Sequence, residues 1–154
     1  MALDPNRWTL KTQEALQSAS RLATEANHAE VTPAHVLTAA LGQEGGVALP
    51  ILDRMGIAIL EVRNRLASAL ERLPRAYGGA TPQMSRELRD GLERAVGIER
   101  EMGDEYLSVE HLLVAFHDVL GVDRDALLKA LREVRGSHKV TSQEPENAYQ
   151  SLER

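Results

Sequence analysis

An all-α domain built from two similar halves is the fold this sequence predicts, and three observations carry the prediction. Hydrophobic residues make up 43% of the chain but aromatic residues only 3%, with Ala and Leu supplying most of the apolar character. That balance favours close-packed helices over a sheet rich in β-branched and aromatic side chains. Residues 9–40 align without a gap on residues 85–116, matching Leu16/Leu92, Ala19/Ala95, Glu25/Glu101, His35/His111, Leu37/Leu113 and Ala39/Ala115, while Thr9/Ser85 and Thr32/Ser108 keep hydroxyl opposite hydroxyl. The centre of the repeat is DEYLSVEHLLVAF at residues 104–116, with a weaker copy, HAEVTPAHVLTAA, at residues 28–40. Finally, 154 residues suffice for one domain with a sizeable core and are too few for two ordinary ones, which fits a duplicated single domain.

In the first half, Thr9 precedes a helical stripe of Leu10, Ala15, Leu16, Ala19, Leu22 and Ala23 and is the expected N-cap, its hydroxyl accepting an orphan amide of the first turn. The helix is expected to end near Asn27. Thr32-Pro33 reads as an N-cap followed by proline at the first helical position, opening a short helix to Leu41. Gly45-Gly46 interrupts the chain, and a third short helix spans Val47 to Met55, tolerating Pro50 in its first turn and ending at Gly56. Ile59, Val62, Leu66, Leu70 and Leu73 mark a fourth helix, stopped by Pro74.

Residues 74–84, with two prolines and a glycine pair, make a poor helix or strand and connect the halves. In the second half, Ser85 caps a helix carrying Leu88, Leu92, Ala95, Val96 and Met102 and closing at Gly103. Ser108 caps the next, through Leu112, Leu113 and Phe116, and Asp123 caps a last one ending near Arg135-Gly136. One short helix of the first half has no evident counterpart, so the halves are expected to hold about four and three helices. The first repeat is read as residues 9–73 and the second as 85–136, within a domain of residues 1–136. Residues 137–154 lose the strong apolar pattern and read as a linker or the start of another element.

A net charge of −5 argues against nucleic-acid or anionic-membrane partners, which would select a basic face. Without cysteine there is no disulfide framework, thiolate metal site or cysteine nucleophile. MALDPNRWTLK lacks a basic region followed by an apolar run, and no segment has the length to span a bilayer, so a cytoplasmic location is expected. Neither a GxxxxGK[ST] loop nor a GxGxxG turn is present, so no cofactor is expected in this stretch. The five histidines never fall at the i, i+4 spacing of a helical zinc pair. His35 and His111 recur at matching positions near helix starts, as groups satisfying local hydrogen bonds would. Asp104, Glu105 and Glu110 cluster around one turn. Paired carboxylates there suit an acidic rim for binding peptide, or acid–base chemistry for which no nucleophile or cofactor is at hand, and Glu110 also suits the dipole of a first helical turn.

Five segments together carry a resemblance over nearly the whole chain: WTLKTQEAL, EVTPAHVL, DEYLSVEHLL, RLPRAYGG and VRGSHKVTSQEPENAYQSL. They resemble the Clp repeat N-terminal domain of ClpB-type AAA+ disaggregases. The resemblance implies a helical pseudo-repeat that engages unfolded or aggregated polypeptides for a hexameric ATPase ring, in cooperation with the DnaK chaperone system. ATP and magnesium are then expected in ATPase modules outside this stretch, and the domain is not itself an enzyme. By the same resemblance Thr9, Asp104 and Glu110 handle substrate beside an apolar groove that includes Leu92, Ile98 and His111, although Arg94 and His111 stand where some relatives carry leucine. The other reading is the adaptor-docking N-terminal domain of ClpA- or ClpC-type unfoldases. That pattern usually carries Glu-His at both helix starts, whereas the first repeat here has Ala34-His35.

Overall fold

The computed structural model describes residues 4–152. Thr9 Oγ1 accepts the Thr12 amide at 3.2 Å and opens α1, Leu10–Glu25, after a 3-10 turn at Pro5–Arg7. Asn27 sits at φ 60°, where its short polar side chain tolerates left-handed backbone, and turns the chain toward β1, Glu30–Val31. Thr32 and Pro33 then start α2, Pro33–Leu41. α3, Ala48–Arg54, and α4, Ile59–Glu71, complete the first half.

β2, Gln83–Met84, leads into α5, Arg86–Glu101, where Ser85 Oγ accepts the Leu88 amide at 3.1 Å. α6, Val109–Ala115, is followed by the single turn α7, His117–Leu120, and by α8, Arg124–Arg135, capped by Asp123 and closed at Gly136. α7 stands where the sequence showed no counterpart of α3. Four residues are too few to leave a periodic apolar signature, so the second half also holds four helices.

The strands are the departure from a purely helical fold. β1 and β2 pair in parallel, Glu30 with Gln83 and Val31 with Met84, and Trp8 makes a parallel bridge with Leu107. In the repeat alignment Trp8 corresponds to Met84 and Leu107 to Val31, so one contact is made twice, reciprocally. The Thr9 amide donates to the Leu107 carbonyl at 2.9 Å and the Leu107 amide to the Arg7 carbonyl at 2.8 Å, while the Ser85 and Gln83 amides donate to Val31 and Ala29 at 3.0 and 3.1 Å. Each half thereby holds the start of the other's first long helix.

The apolar stripes meet in one core. Leu37, Ile51, Leu52 and Leu66 of the first half join Leu88, Leu92, Leu112, Leu113 and Phe116 of the second, all essentially inaccessible. Fully burying such a side chain is worth about 1.5–3 kcal/mol. Gly91 on α5 faces Phe116 so closely that a Cβ there would overlap the ring, which explains a glycine inside a helix where it costs about 1 kcal/mol relative to alanine.

Beyond Gly136 the chain folds back over the body. The Val140 amide donates to Asp104 Oδ1 at 3.0 Å and its carbonyl accepts the Glu105 amide at 2.8 Å. The Gln143 carbonyl accepts the Leu10 amide at 2.9 Å, and α9, Glu146–Leu152, places Tyr149 against the core. Residues 139–149 thus form a strap tied to both halves rather than a free linker.

Candidate functional site

The two repeat histidines are built alike. His35 Nδ1 accepts the Thr32 amide at 2.9 Å and His111 Nδ1 accepts the Ser108 amide at 2.8 Å, so each ring sits three residues into its helix and ties back to the cap. With Nδ1 accepting, the proton lies on Nε2. His35 Nε2 therefore donates to His28 Nδ1 at 2.8 Å, and His111 Nε2 donates to Asp104 Oδ2 at 2.7 Å. His28 and Asp104 are equivalent positions in the repeat. In the first half burial, followed by the neighbouring His28, pulls His35 down to about 4, so the histidine pair is neutral packing. In the second half a carboxylate takes the place of the imidazole, and a carboxylate admits cations.

The cation it admits is Arg135. Its Nη2 donates to Asp104 Oδ1 at 2.6 Å, and its Nε lies 3.6 Å from Glu110 Oε2. Glu110 accepts the Tyr149 hydroxyl at 3.0 Å and, through its other oxygen, the Ser108 hydroxyl. The Arg135 guanidinium lies 5.7 Å from the centre of the Tyr149 ring. Burial alone would raise the Asp104 carboxyl. Hydrogen bonds from His111, Arg135 and the Val140 amide outweigh it and hold the group well below the usual carboxylate range. Burying charges this deeply costs several kcal/mol per ion, which the Asp104–Arg135 pair and the hydroxyl hydrogen bonds to Glu110 offset.

This arrangement alters the reading of the predicted site residues. Asp104 is 8% exposed, and Glu110, His111, Thr9 and Leu92 are 0% exposed, so the carboxylates expected on an acidic rim lie beneath the surface. The physical reason is compensation by Arg135, Tyr149 and the strap amide, partners whose proximity no local spacing discloses. Asp104, Glu110 and His111 do come together, in one network. Thr9 stands apart from it, capping α1 and bonding Thr12, whose hydroxyl donates to the Leu107 carbonyl at 2.9 Å. Leu92 belongs to the core. Ile98 alone reaches the surface.

Ile98 lines a groove of about 720 Å³ between α5, α8 and the start of the strap. Ile98, Met102 and Leu128 give it a partly exposed apolar floor continuous with the core. Arg124, Arg132 and Lys139 stand along its edge against the single carboxylate of Glu101, and Lys139 donates to the Met102 carbonyl at 2.6 Å. A larger cleft of about 940 Å³ opens between α4 and α8, but its basic Arg54, Arg65 and Lys129 face acidic Glu61, Asp123 and Glu133, and Arg54 is paired with Glu133 at 3.2 Å. Among the described residues no group of three or more His, Cys, Asp or Glu could hold a metal ion, and no helix is long and apolar enough to cross a membrane.

The Clp repeat (R) N-terminal domain family matches residues 7–134. The chain is 41% identical over 157 aligned positions to the chaperone protein ClpB of Mycobacterium tuberculosis (strain ATCC 25618 / H37Rv), an alignment covering 95% of the chain and 18% of that protein. Its fold is similar to the Hsp104 N-terminal domain from Candida albicans, with a TM-score of 0.77 at 19% identity over 90% of this chain and 98% of that one. It is also similar to a ClpV N-domain solved in complex with a VipB peptide, with a TM-score of 0.67 at 20% identity over 82% and 86% of the two chains.

Proposed function

The chain belongs to the Clp repeat N-terminal domain family, an accessory N-terminal domain of AAA+ ATPases, and from that premise we propose that it engages non-native polypeptide for a ClpB-type disaggregase. The observation that carries the reading is the groove between α5 and α8, an apolar floor of Ile98, Met102 and Leu128 bordered by Arg124, Arg132 and Lys139. Exposed Leu, Phe or Val side chains of an unfolded segment would gain about 25 cal/mol per Å² of apolar surface removed from water there, with little demand on sequence. The basic edge favours segments with acidic residues beside the apolar ones, since charge complementarity acts mainly on selection and association rate.

In this reading Asp104 and Glu110 act from beneath. By fixing Arg135 and the strap they hold the wall of the groove that Gly136 to Lys139 supply. The domain itself performs no catalysis. ATP and magnesium belong to ATPase modules elsewhere in the full-length protein, which works in the cytoplasm with the DnaK chaperone system. Six copies around a ring would convert weak grooves into useful avidity.

The test is fluorescence anisotropy with a permanently unfolded model protein. Leu128→Asp and Ile98→Asp should each weaken capture at least fivefold with circular dichroism unchanged, and Arg132→Glu should shift preference from acidic toward basic segments. Unchanged capture by the folded variants removes the groove from the function. Tight one-to-one binding of a folded partner with no binding of the unfolded protein would establish the adaptor-docking alternative.

A further inference from the structure

A second pocket, sharing no lining residue with the groove between α5 and α8, lies where the loop after α2 meets the strap. It measures about 320 Å³ and is walled by Val47, Leu49, Pro50 and Val134, with Gln43, Tyr149 and Glu146 contributing its polar atoms. No Lys, Arg or His lines it. Glu146 is 5% exposed, and its Oε2 has no hydrogen-bond partner among the described residues. Gln43 Oε1 is likewise buried and unpartnered, while its Nε2 is fixed in direction by donating to the Lys11 carbonyl at 2.7 Å.

Two unpaired acceptors on side chains that line one apolar pocket form an unbalanced arrangement, because native interiors pair nearly all buried polar groups. Lys11 on α1 offsets this only in part: its charge lowers the Glu146 carboxyl, but its Nζ donates to the Glu44 carbonyl at 2.6 Å and not to Glu146. On α6, Glu110 adds a further negative group facing Glu146, and Glu144 on the strap adds another. What the pocket lacks is a donor with positive charge on an aliphatic stem.

We propose that this pocket is a binding site for the lysine side chain of an apolar peptide segment, with the methylenes against Val47, Leu49, Pro50 and Val134 and the ammonium between Glu146 and Gln43. An ammonium suits two acceptors from separate side chains better than a planar guanidinium, which is matched to the paired oxygens of one carboxylate. Burial, with Glu110 adding to it, pushes the Glu146 carboxyl up to about 7, so an ammonium arriving at neutral pH converts a half-protonated acid into an ion pair. Both unpaired oxygens lie beneath the pocket surface, so the proposed contact requires the Glu146 and Gln43 side chains to turn toward the pocket they line.

Two peptides test the assignment by NMR titration of the chain, acetyl-Leu-Lys-Leu-amide and the same peptide with norleucine in place of lysine. The expected result is at least tenfold tighter binding of the lysine peptide, shifts centred on Val47, Leu49 and Tyr149, strengthening from pH 6 to pH 8, and loss of the preference in Glu146→Gln. Equal affinity of the two peptides, binding of neither, shifts centred elsewhere, or a preference that survives in Glu146→Gln each overturns it. Should Glu146→Gln fail to fold, the lysine-to-norleucine ratio of the unsubstituted chain across that pH range decides.

Discussion

Replacing Asp104 with alanine removes the acceptor of three hydrogen bonds, from His111 at 2.7 Å, Arg135 at 2.6 Å and the Val140 amide at 3.0 Å. Arg135 is 2% exposed, so its guanidinium would remain buried with only Glu110, 3.6 Å from Nε, to offset it. Breaking a buried pair from one side costs about 3–5 kcal/mol, a large part of the roughly 5–15 kcal/mol that holds a domain together. Asparagine separates charge from shape. Its Oδ1 can still accept from Arg135 and Val140, but its amide would meet the Nε2–H of His111, and that imidazole cannot change tautomer while Nδ1 accepts the Ser108 amide. Asp104→Asn should therefore cost about 2 kcal/mol, the scale of one lost charge-assisted hydrogen bond. Urea unfolding followed by Trp8 fluorescence gives the global value, and hydrogen exchange of residues 139–149 reports whether the strap opens first. Alanine and asparagine variants within 1 kcal/mol of the parent, with strap protection intact, would refute the claim that this network is structural. If the claim holds, loss of polypeptide capture in an Asp104 variant reports a displaced groove wall and not a lost contact.

Gly91→Ala should lower stability by about 1–3 kcal/mol through overlap with Phe116, although helix propensity alone would make it stabilising. Thermal unfolding decides the sign, and an equal or higher Tm contradicts the packing account. The His35 pair predicts an acid effect. A histidine depressed from its ordinary 6.5 to about 4 contributes stability that is fully present above about pH 6.5 and is lost as pH falls toward 4. With allowance for solvent screening the loss is no more than about 2 kcal/mol. His35→Gln keeps an acceptor at the capping-box position without titrating, so urea midpoints measured at pH 7 and pH 4 should converge in that variant, and an undiminished difference would assign the acid effect elsewhere.

Helix starts were the most legible part of this chain. Thr9, Ser85 and Asp123 cap where their hydroxyl or carboxylate could be expected to, and Asn27 adopts the left-handed backbone its side chain permits. These are local effects, set within a few residues. β1 and β2 were not legible, because two-residue strands carry no alternation and their partners lie in the other half. The docking of the strap escaped for a related reason, its buried Val140 and Tyr149 being too widely spaced to form a periodic stripe, although a further element after residue 137 is one of the two readings the sequence allows. Asp104, Glu110 and His111 stood out by position and the structure brings them together, but their depth was invisible. Arg135 reads in sequence as an ordinary basic residue closing a helix, and only the fold shows that it pairs with Asp104 and lies beside Glu110. The duplication itself held the signal that could have found this, since Asp104 replaces His28 opposite a matched histidine.

The reciprocal bridges bear on the order in which the chain acquires its structure. Trp8 meets Leu107, and Val31 meets Met84, so both contacts join segments far apart in sequence, and the first cannot form until most of the chain exists. Proteins whose contacts are of this kind fold more slowly than those built of local helical pairs. A nascent chain presenting only the first repeat would carry β1 with its hydrogen-bonding edge vacant and Trp8 in water, an apolar surface resembling that of the non-native polypeptides the finished domain is proposed to capture. Unlike solenoid repeats, which add stability neighbour by neighbour, these halves complete one another in a single late step.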